Sequence, residues 1–186
     1  MGFDAIVLAG GAAIRMGGWD KAELEVGGRR LLDVALAAIE DARRIVVVGP
    51  RRAAPPEVLW TREEPPGGGP VAAVAAGLEE VRSPTVVILA VDLPFVQPGS
   101  VVSLLEAARG RADGAIAVDA GGRDQPLFAV YAADVLRAAL TRLEDPAGAS
   151  MRNLVRGLEV ARVDLGPATF DCDTWDQLAA ARRATE

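Results

Sequence analysis

An α/β fold with a mostly parallel, Rossmann-like central sheet and helices on both faces is what this 186-residue chain predicts, for three reasons. Strand and helix signals alternate from end to end, the pattern that βαβ units produce. The strand candidates are short continuous apolar runs, as expected of strands covered on both faces. The first of them runs directly into two glycines, and ligands of open α/β sheets bind beyond the carboxyl ends of the strands. One domain, residues 1–186, accommodates that length.

The elements follow in order. Residues 4–9, ending in Leu8 and Ala9, read as a buried parallel strand that stops at Gly10 and Gly11. Leu31, Leu32, Ala35, Leu36 and Ile39 recur at helical spacing, and residues 44–49 supply the next strand of a right-handed βαβ unit. Residues 64–70 are rich in Pro and Gly, yet Val71, Val74, Leu78 and Val81 follow at helical intervals. That stretch is therefore a loop inside the domain, with Pro70 in the first turn of a helix. Residues 85–91 form the most apolar strand, expected at the centre of the sheet and ending at Asp92. Val101, Leu104, Leu105 and Ala108 mark a helix, residues 115–118 and 125–131 two strands, and residues 133–143 another helix. One or two helical turns over 151–156 and a strand over 158–163 come next. The last helix, Trp175–Arg183, opens on Thr174 with Gln177 three residues on, a capping-box pattern.

Composition narrows the chemistry. With no histidine, imidazole is unavailable as base, nucleophile or metal ligand, which removes most triads and most zinc sites. A net charge of −6 without a dense basic stripe argues against nucleic-acid binding, while a free nucleotide remains an admissible ligand. Cys172 is the single cysteine and cannot form an internal disulfide. The N-terminus carries no charged leader pattern and no apolar stretch approaches membrane-spanning length, so a cytoplasmic protein with no membrane partner is expected.

Of the twenty Lys-plus-Arg positions only Lys21 is lysine. A chain that otherwise uses arginine for positive charge places its one compact ammonium where a broad guanidinium would fit poorly, such as among crowded phosphate oxygens. Lys21 lies eleven residues beyond Gly10, and Arg15 stands between them. Gly10 and Gly11 lack side chains, so their amides can approach phosphates closely, and Arg15 and Lys21 add positive charge. Neither a P-loop nor a G-x-G-x-x-G fingerprint is present.

The ordered set Leu8-Ala9-Gly10-Gly11, Arg15-Met16-Gly17 and Asp20-Lys21 resembles the N-terminal signature of the MobA-like nucleotidyltransferases, which include molybdenum cofactor guanylyltransferase and its cytidylyl relatives. Many relatives carry Ser or Thr where this chain has Ala13, so a hydroxyl contact to phosphate is missing. The resemblance implies a Mg2+ ligand at Asp92, which exits an apolar strand into a Pro94 turn; a hard cation bound to carboxylate suits nucleotide phosphates. Asp171 and Asp173, in Asp171-Cys172-Asp173-Thr174, read either as further Mg2+ ligands or as helix N-terminal charges. The family often has Asn-x-Asn-Thr or Asp-x-Asp-Thr here, and the acidic form is common among cytidylyl enzymes. Residues 67–69 with Pro70 resemble the family's Gly-Pro element beside the nucleotide, making Gly69, Pro70 and a neighbouring carboxylate, Glu63 or Glu64, candidate base contacts. Gln125-Pro126-Leu127 resembles a segment lining the acceptor side.

Together these residues imply transfer of a nucleoside monophosphate from an NTP to a phosphorylated small molecule, with pyrophosphate released. Arg15, Lys21 and Asp92 would be catalytic. A terminal phosphate is already anionic at neutral pH, so positioning and charge neutralisation suffice. GTP is the expected donor, and the family resemblance implies molybdopterin as the acceptor and cofactor-delivery proteins as partners. CTP, another phosphorylated acceptor, or a nucleotide-binding regulatory protein without turnover are the alternatives.

Overall fold

The first strand shows how this sequence builds two cores at once. β1 (Asp4–Leu8) is buried along its whole length. Its side chains alternate, with Ala5 and Val7 entering one apolar cluster and Ile6 and Leu8 the other, as a period of two dictates. The structure, a computed structural model, describes residues 2–10, 17–111 and 113–186.

A seven-stranded sheet runs through the molecule in the order β5 (Leu59–Thr61), β4 (Arg44–Val48), β1, β6 (Thr85–Ala90), β8 (Asp124–Ala132), β7 (Gly114–Val118) and β9 (Val160–Asp164). Only β8 runs against its neighbours; the other pairings are parallel. β6 is central, as its apolar run predicts, and Ile6 lies level with Val46 on one side and Ile88 on the other. β2 (Glu25–Val26) and β3 (Arg29–Arg30) make a separate small hairpin.

Helices cover both faces. α1 (Leu31–Ala38), α3 (Pro98–Ala107) and α6 (Trp175–Arg183) pack Leu32, Leu104 and Leu178 against one side. α2 (Gly69–Glu80), α4 (Ala133–Leu140) and α5 (Met151–Leu154) bury Val74, Leu136 and Leu154 against the other. Pro70 occupies the first turn of α2, where a missing N–H costs nothing.

Buried Asp4 at the start of β1 closes the turn that precedes β6. Its carboxylate accepts from the Arg82 amide, and from the Ser83 amide at 2.9 Å and the Ser83 hydroxyl at 2.7 Å. Burial opposes its charge, but these donors prevail and hold its carboxyl below the usual aspartate value.

β1, β4 and β6 run parallel and so end on one edge, and antiparallel β8 begins there, which brings Gly10, Gly49, Asp92 and Gln125 to a common rim. Gly49 makes the close approach possible. Its φ is +146°, and a Cβ there would stand 2.7 Å from the Ala9 carbonyl carbon and the Gly10 nitrogen. Among the described residues no helix is long and apolar enough to cross a membrane.

Candidate active site

Lys21 stands at the head of a 3-10 turn, Lys21–Glu23, whose Ala22 is fully buried and anchors it to the core. Asp20 caps that turn, its Oδ1 accepting from the Ala22 amide at 3.1 Å. The same carboxylate is gripped from the far side by Arg52, which follows β4: Nε donates to Oδ2 at 2.6 Å and Nη2 to Oδ1 at 2.7 Å. A bidentate guanidinium of this kind fixes orientation as well as charge. The turn therefore aims Lys21 over the exit of β6.

There its Nζ donates to Asp92 Oδ2 at 2.8 Å and also to Asp173 Oδ1. Two carboxylates from segments 81 residues apart thus converge on one nitrogen atom. Burial opposes the ammonium, but Asp92 and then Asp173 outweigh it and raise the Lys21 pKa above the usual lysine value. Lys21 is a cation throughout the neutral range.

The segment bearing Asp171 and Asp173 is spliced to Asp92 by backbone: the Cys172 amide donates to the Asp92 carbonyl at 3.0 Å. Cys172 is buried, and burial, with Asp92 and Asp171 nearby, pushes its thiol up to about 12, so it is no nucleophile at neutral pH. The Thr174 cap predicted for α6 is present, and the Gln177 side chain reaches back one residue further than a capping box requires. Thr174 Oγ1 accepts from the Gln177 amide at 3.2 Å, and Gln177 Oε1 accepts from the Asp173 amide at 3.0 Å. Thr174 does the capping, which leaves both aspartate side chains free for other partners. Asp173 turns to Lys21, whereas Asp171 Oδ1 accepts from Gln177 Nε2 at 2.8 Å. Burial, then the charges of Asp173 and Asp92, raise the Asp171 pKa.

The second loop of the rim carries Glu63 and Glu64. Glu64 is exposed, but Glu63 is buried and its Oε1 accepts from the Gly67 amide at 3.0 Å. A Cβ on Gly10 would lie 3.6 Å from both Glu63 carboxylate oxygens, so this carboxylate lies against Gly10. Among the described residues, Glu63 Oε2 is the buried side-chain polar atom that lacks a hydrogen-bond partner. Gly69 and Pro70 begin α2, separated from the Glu63-Glu64 pair by four residues, and Leu8 and Ala9, which lead into Gly10, are buried. Gln125, at the start of β8, donates to Asp119 Oδ2 at 3.1 Å.

The structure thus brings Gly10, Lys21, Asp92, Asp173 and the Gly69-Pro70 element to one edge, with Asp171 held one step back. Gly11, Ala13 and Arg15 lie outside the described residues. Sequence reasoning missed Arg52 and the double role of Gln177. Nothing in the Arg51-Arg52 pair marks which arginine reaches Asp20, whereas the Thr174 to Gln177 spacing was a usable signal for the second.

Gly10, a cationic turn and convergent carboxylates at the carboxyl edge of a mostly parallel sheet are the layout of a nucleotide-handling α/β protein. The chain belongs to the MobA-like NTP transferase domain family, whose model matches residues 5–163, and with it to the nucleotidyltransferases. Over 109 residues, 59% of this chain, it is 39% identical to 2-C-methyl-D-erythritol 4-phosphate cytidylyltransferase of Thermus thermophilus, and that match spans 51% of the relative's length. A crystal structure of the Thermus thermophilus cytidylyltransferase aligns with all of this chain over 99% of its own length, with a TM-score of 0.74 and 27% identity. A probable molybdenum cofactor guanylyltransferase of Natranaerobius thermophilus is 28% identical over 134 residues, 68% of this chain and 65% of the relative.

Proposed function

We propose that the protein transfers GMP from GTP to the terminal phosphate of molybdopterin in a Mg2+-dependent reaction. The observation that carries the choice of base is the Glu63 carboxylate, buried against Gly10 with one oxygen that lacks a donor among the described residues. A buried acceptor without a partner is a costly arrangement that a ligand can relieve. Guanine offers adjacent N–H donors on its pairing edge, and cytosine offers one amine beside acceptors. Glu63, rather than exposed Glu64, is the carboxylate suited to that contact.

Asp92 and Asp173 suit Mg2+ by their chemistry: their oxygens already meet at one cation, and Mg2+ takes one or two carboxylates together with substrate phosphates. Bound there, the ion would neutralise phosphate charge. Asp171, committed to Gln177, would support the pair from behind.

The chain's own residues do the rest. Gly10, Gly11, Arg15 and Lys21 hold the triphosphate, and Arg52 keeps Lys21 in place through Asp20. An oxygen of the acceptor phosphate attacks the α-phosphorus as the bond to the β-phosphate oxygen breaks, and pyrophosphate leaves with the electron pair. No proton need be moved, which fits a site without histidine.

Cytidylyl transfer to 2-C-methyl-D-erythritol 4-phosphate is a second reading, favoured by the 39% identity to the Thermus relative. Calorimetry with GTP and with CTP, each with Mg2+, separates the two. GTP should bind at least about tenfold more tightly, and Glu63→Gln should erase the preference. Tighter CTP binding by the wild type moves the protein to the cytidylyl reading.

A further inference from the structure

Two of the chain's three tryptophans stand in the open. Trp19 is 61% exposed and Trp175 is 43% exposed, whereas Trp60 packs against the core. Their rings touch edge to face, with centroids 5.8 Å apart and planes at 81°. Trp19 lies two residues before Lys21 and Trp175 two residues after Asp173, and the Lys21 to Asp173 hydrogen bond ties the two segments together. An aromatic pair of this size is ordinarily buried, and one left at the rim of a charged site marks a binding surface.

Its position says which substrate it faces. Trp175 opens α6, and α6 and the Lys21 turn share the core cluster on the α1 and α3 side of the sheet. Glu63 precedes α2, which covers the opposite side. The Lys21, Asp92 and Asp173 centre stands where β6 ends, and the Lys21 to Asp173 hydrogen bond joins it to the tryptophan side. A nucleotide whose base sits at Glu63 and whose phosphates reach Lys21 leaves the tryptophan side to the molecule that attacks the α-phosphorus. Two indoles at right angles give one flat floor and one upright wall. A planar conjugated ring gains from both, by stacking on the floor and meeting the wall edge-on, while a short aliphatic polyol phosphate gains little from either.

We propose that Trp19 and Trp175 form the acceptor platform and select a phosphorylated molecule carrying a flat, fused heteroaromatic ring of the pterin type. This assignment rests on the nucleotidyl-transfer reading of the same site.

The test is a binding titration of the full chain, followed by tryptophan fluorescence and calorimetry. The probes are a pterin bearing a phosphomonoester side chain, 2-C-methyl-D-erythritol 4-phosphate, and GTP with Mg2+. The pterin phosphate should quench the fluorescence. The Trp19→Ala/Trp175→Ala double variant should lose at least about tenfold in pterin phosphate affinity, since stacking on one aromatic ring changes affinity by about five- to 150-fold. The Trp19→Phe/Trp175→Phe variant, which keeps the ring faces, should recover most of it, and Mg2+–GTP affinity should be retained in both. Equal pterin phosphate affinity in the wild type and the alanine variant overturns the proposal. So does a loss of GTP affinity as large as the loss for the pterin, which would give the rings to the nucleotide base, and so does tighter binding of the polyol phosphate than of the pterin. Tryptophan-dependent pterin binding in a protein that releases no pyrophosphate would refute transfer and leave the platform standing.

Discussion

Replacing Lys21 probes the site at the point where its parts meet. In the wild type one ammonium bridges Asp92 at 2.8 Å and Asp173, with a side chain only 18% exposed. At an effective dielectric near 20, a contact of this kind is worth about 4 kcal/mol before desolvation and side-chain entropy are subtracted. The net cost of removing the cation from so part-buried a pair is nearer 2 kcal/mol. Lys21→Ala should therefore fold, melting about 4–8 °C below the wild type. Its kcat/KM for pyrophosphate release should fall about 100- to 1,000-fold, the usual effect of removing one charge-stabilising donor from a transition state. Lys21→Arg isolates size from charge. A planar guanidinium cannot put one nitrogen where Asp92 and Asp173 both meet Nζ, so it should regain thermal stability without regaining rate. Comparing Lys21→Arg with the wild type by coupled pyrophosphate assay, with melting curves alongside, decides the matter. Native turnover by Lys21→Arg would refute the reasoning from compactness.

Five other substitutions test further parts of the account. Asp92→Asn keeps size and hydrogen bonding but removes the charge a hard cation needs, so it should abolish Mg2+-dependent turnover; Asp173→Asn should weaken Mg2+ affinity, and Asp171→Asn should do so least, as read by turnover against Mg2+ concentration. Arg52→Met keeps the stem and frees Asp20, which should lower kcat while leaving the melting temperature within about 4 °C, the signature of a positioning residue rather than a structural one. Asp4→Asn should cost about 2 kcal/mol, or about 4–8 °C in melting temperature at neutral pH. Because the folded Asp4 pKa lies below the ordinary value, that stabilisation is present above the ordinary carboxylate range and is lost as pH falls through the folded pKa, so the melting difference should shrink in acid.

Much of this architecture is legible in the sequence because buried parallel strands advertise themselves. The runs at β1, β4 and β6 are continuous and apolar, and their carboxyl ends carry Gly10, Gly49 and Asp92. What escaped was short or ambiguous. β5 is three residues, and the β2–β3 hairpin offers two residues a side, too few for periodicity to register. The reversed direction of β8 left no mark in its own apolar run. It was written instead in the five-residue connection from β7, which can join antiparallel neighbours and is too short for a parallel crossover. Glu63 and Glu64 are indistinguishable as letters; only burial against Gly10 separates them. The contact between Lys21 and the two aspartates was hidden for a different reason. Each residue reads as a phosphate or metal contact by itself, and their convergence depends on the splice of Cys172 to Asp92.

The central claim is nucleotidyl transfer at the Lys21, Asp92 and Asp173 centre, and following the α-phosphate tests it most directly. The protein is incubated with Mg2+ and GTP labelled at the α-phosphorus, together with molybdopterin or a phosphorylated pterin, and the products are separated. The account predicts label in a pterin–guanine dinucleotide, matched by an equal amount of pyrophosphate and abolished by Asp92→Asn. Folded wild-type protein that leaves the label in GTP, and that likewise transfers nothing from CTP to either a pterin phosphate or 2-C-methyl-D-erythritol 4-phosphate, would contradict it.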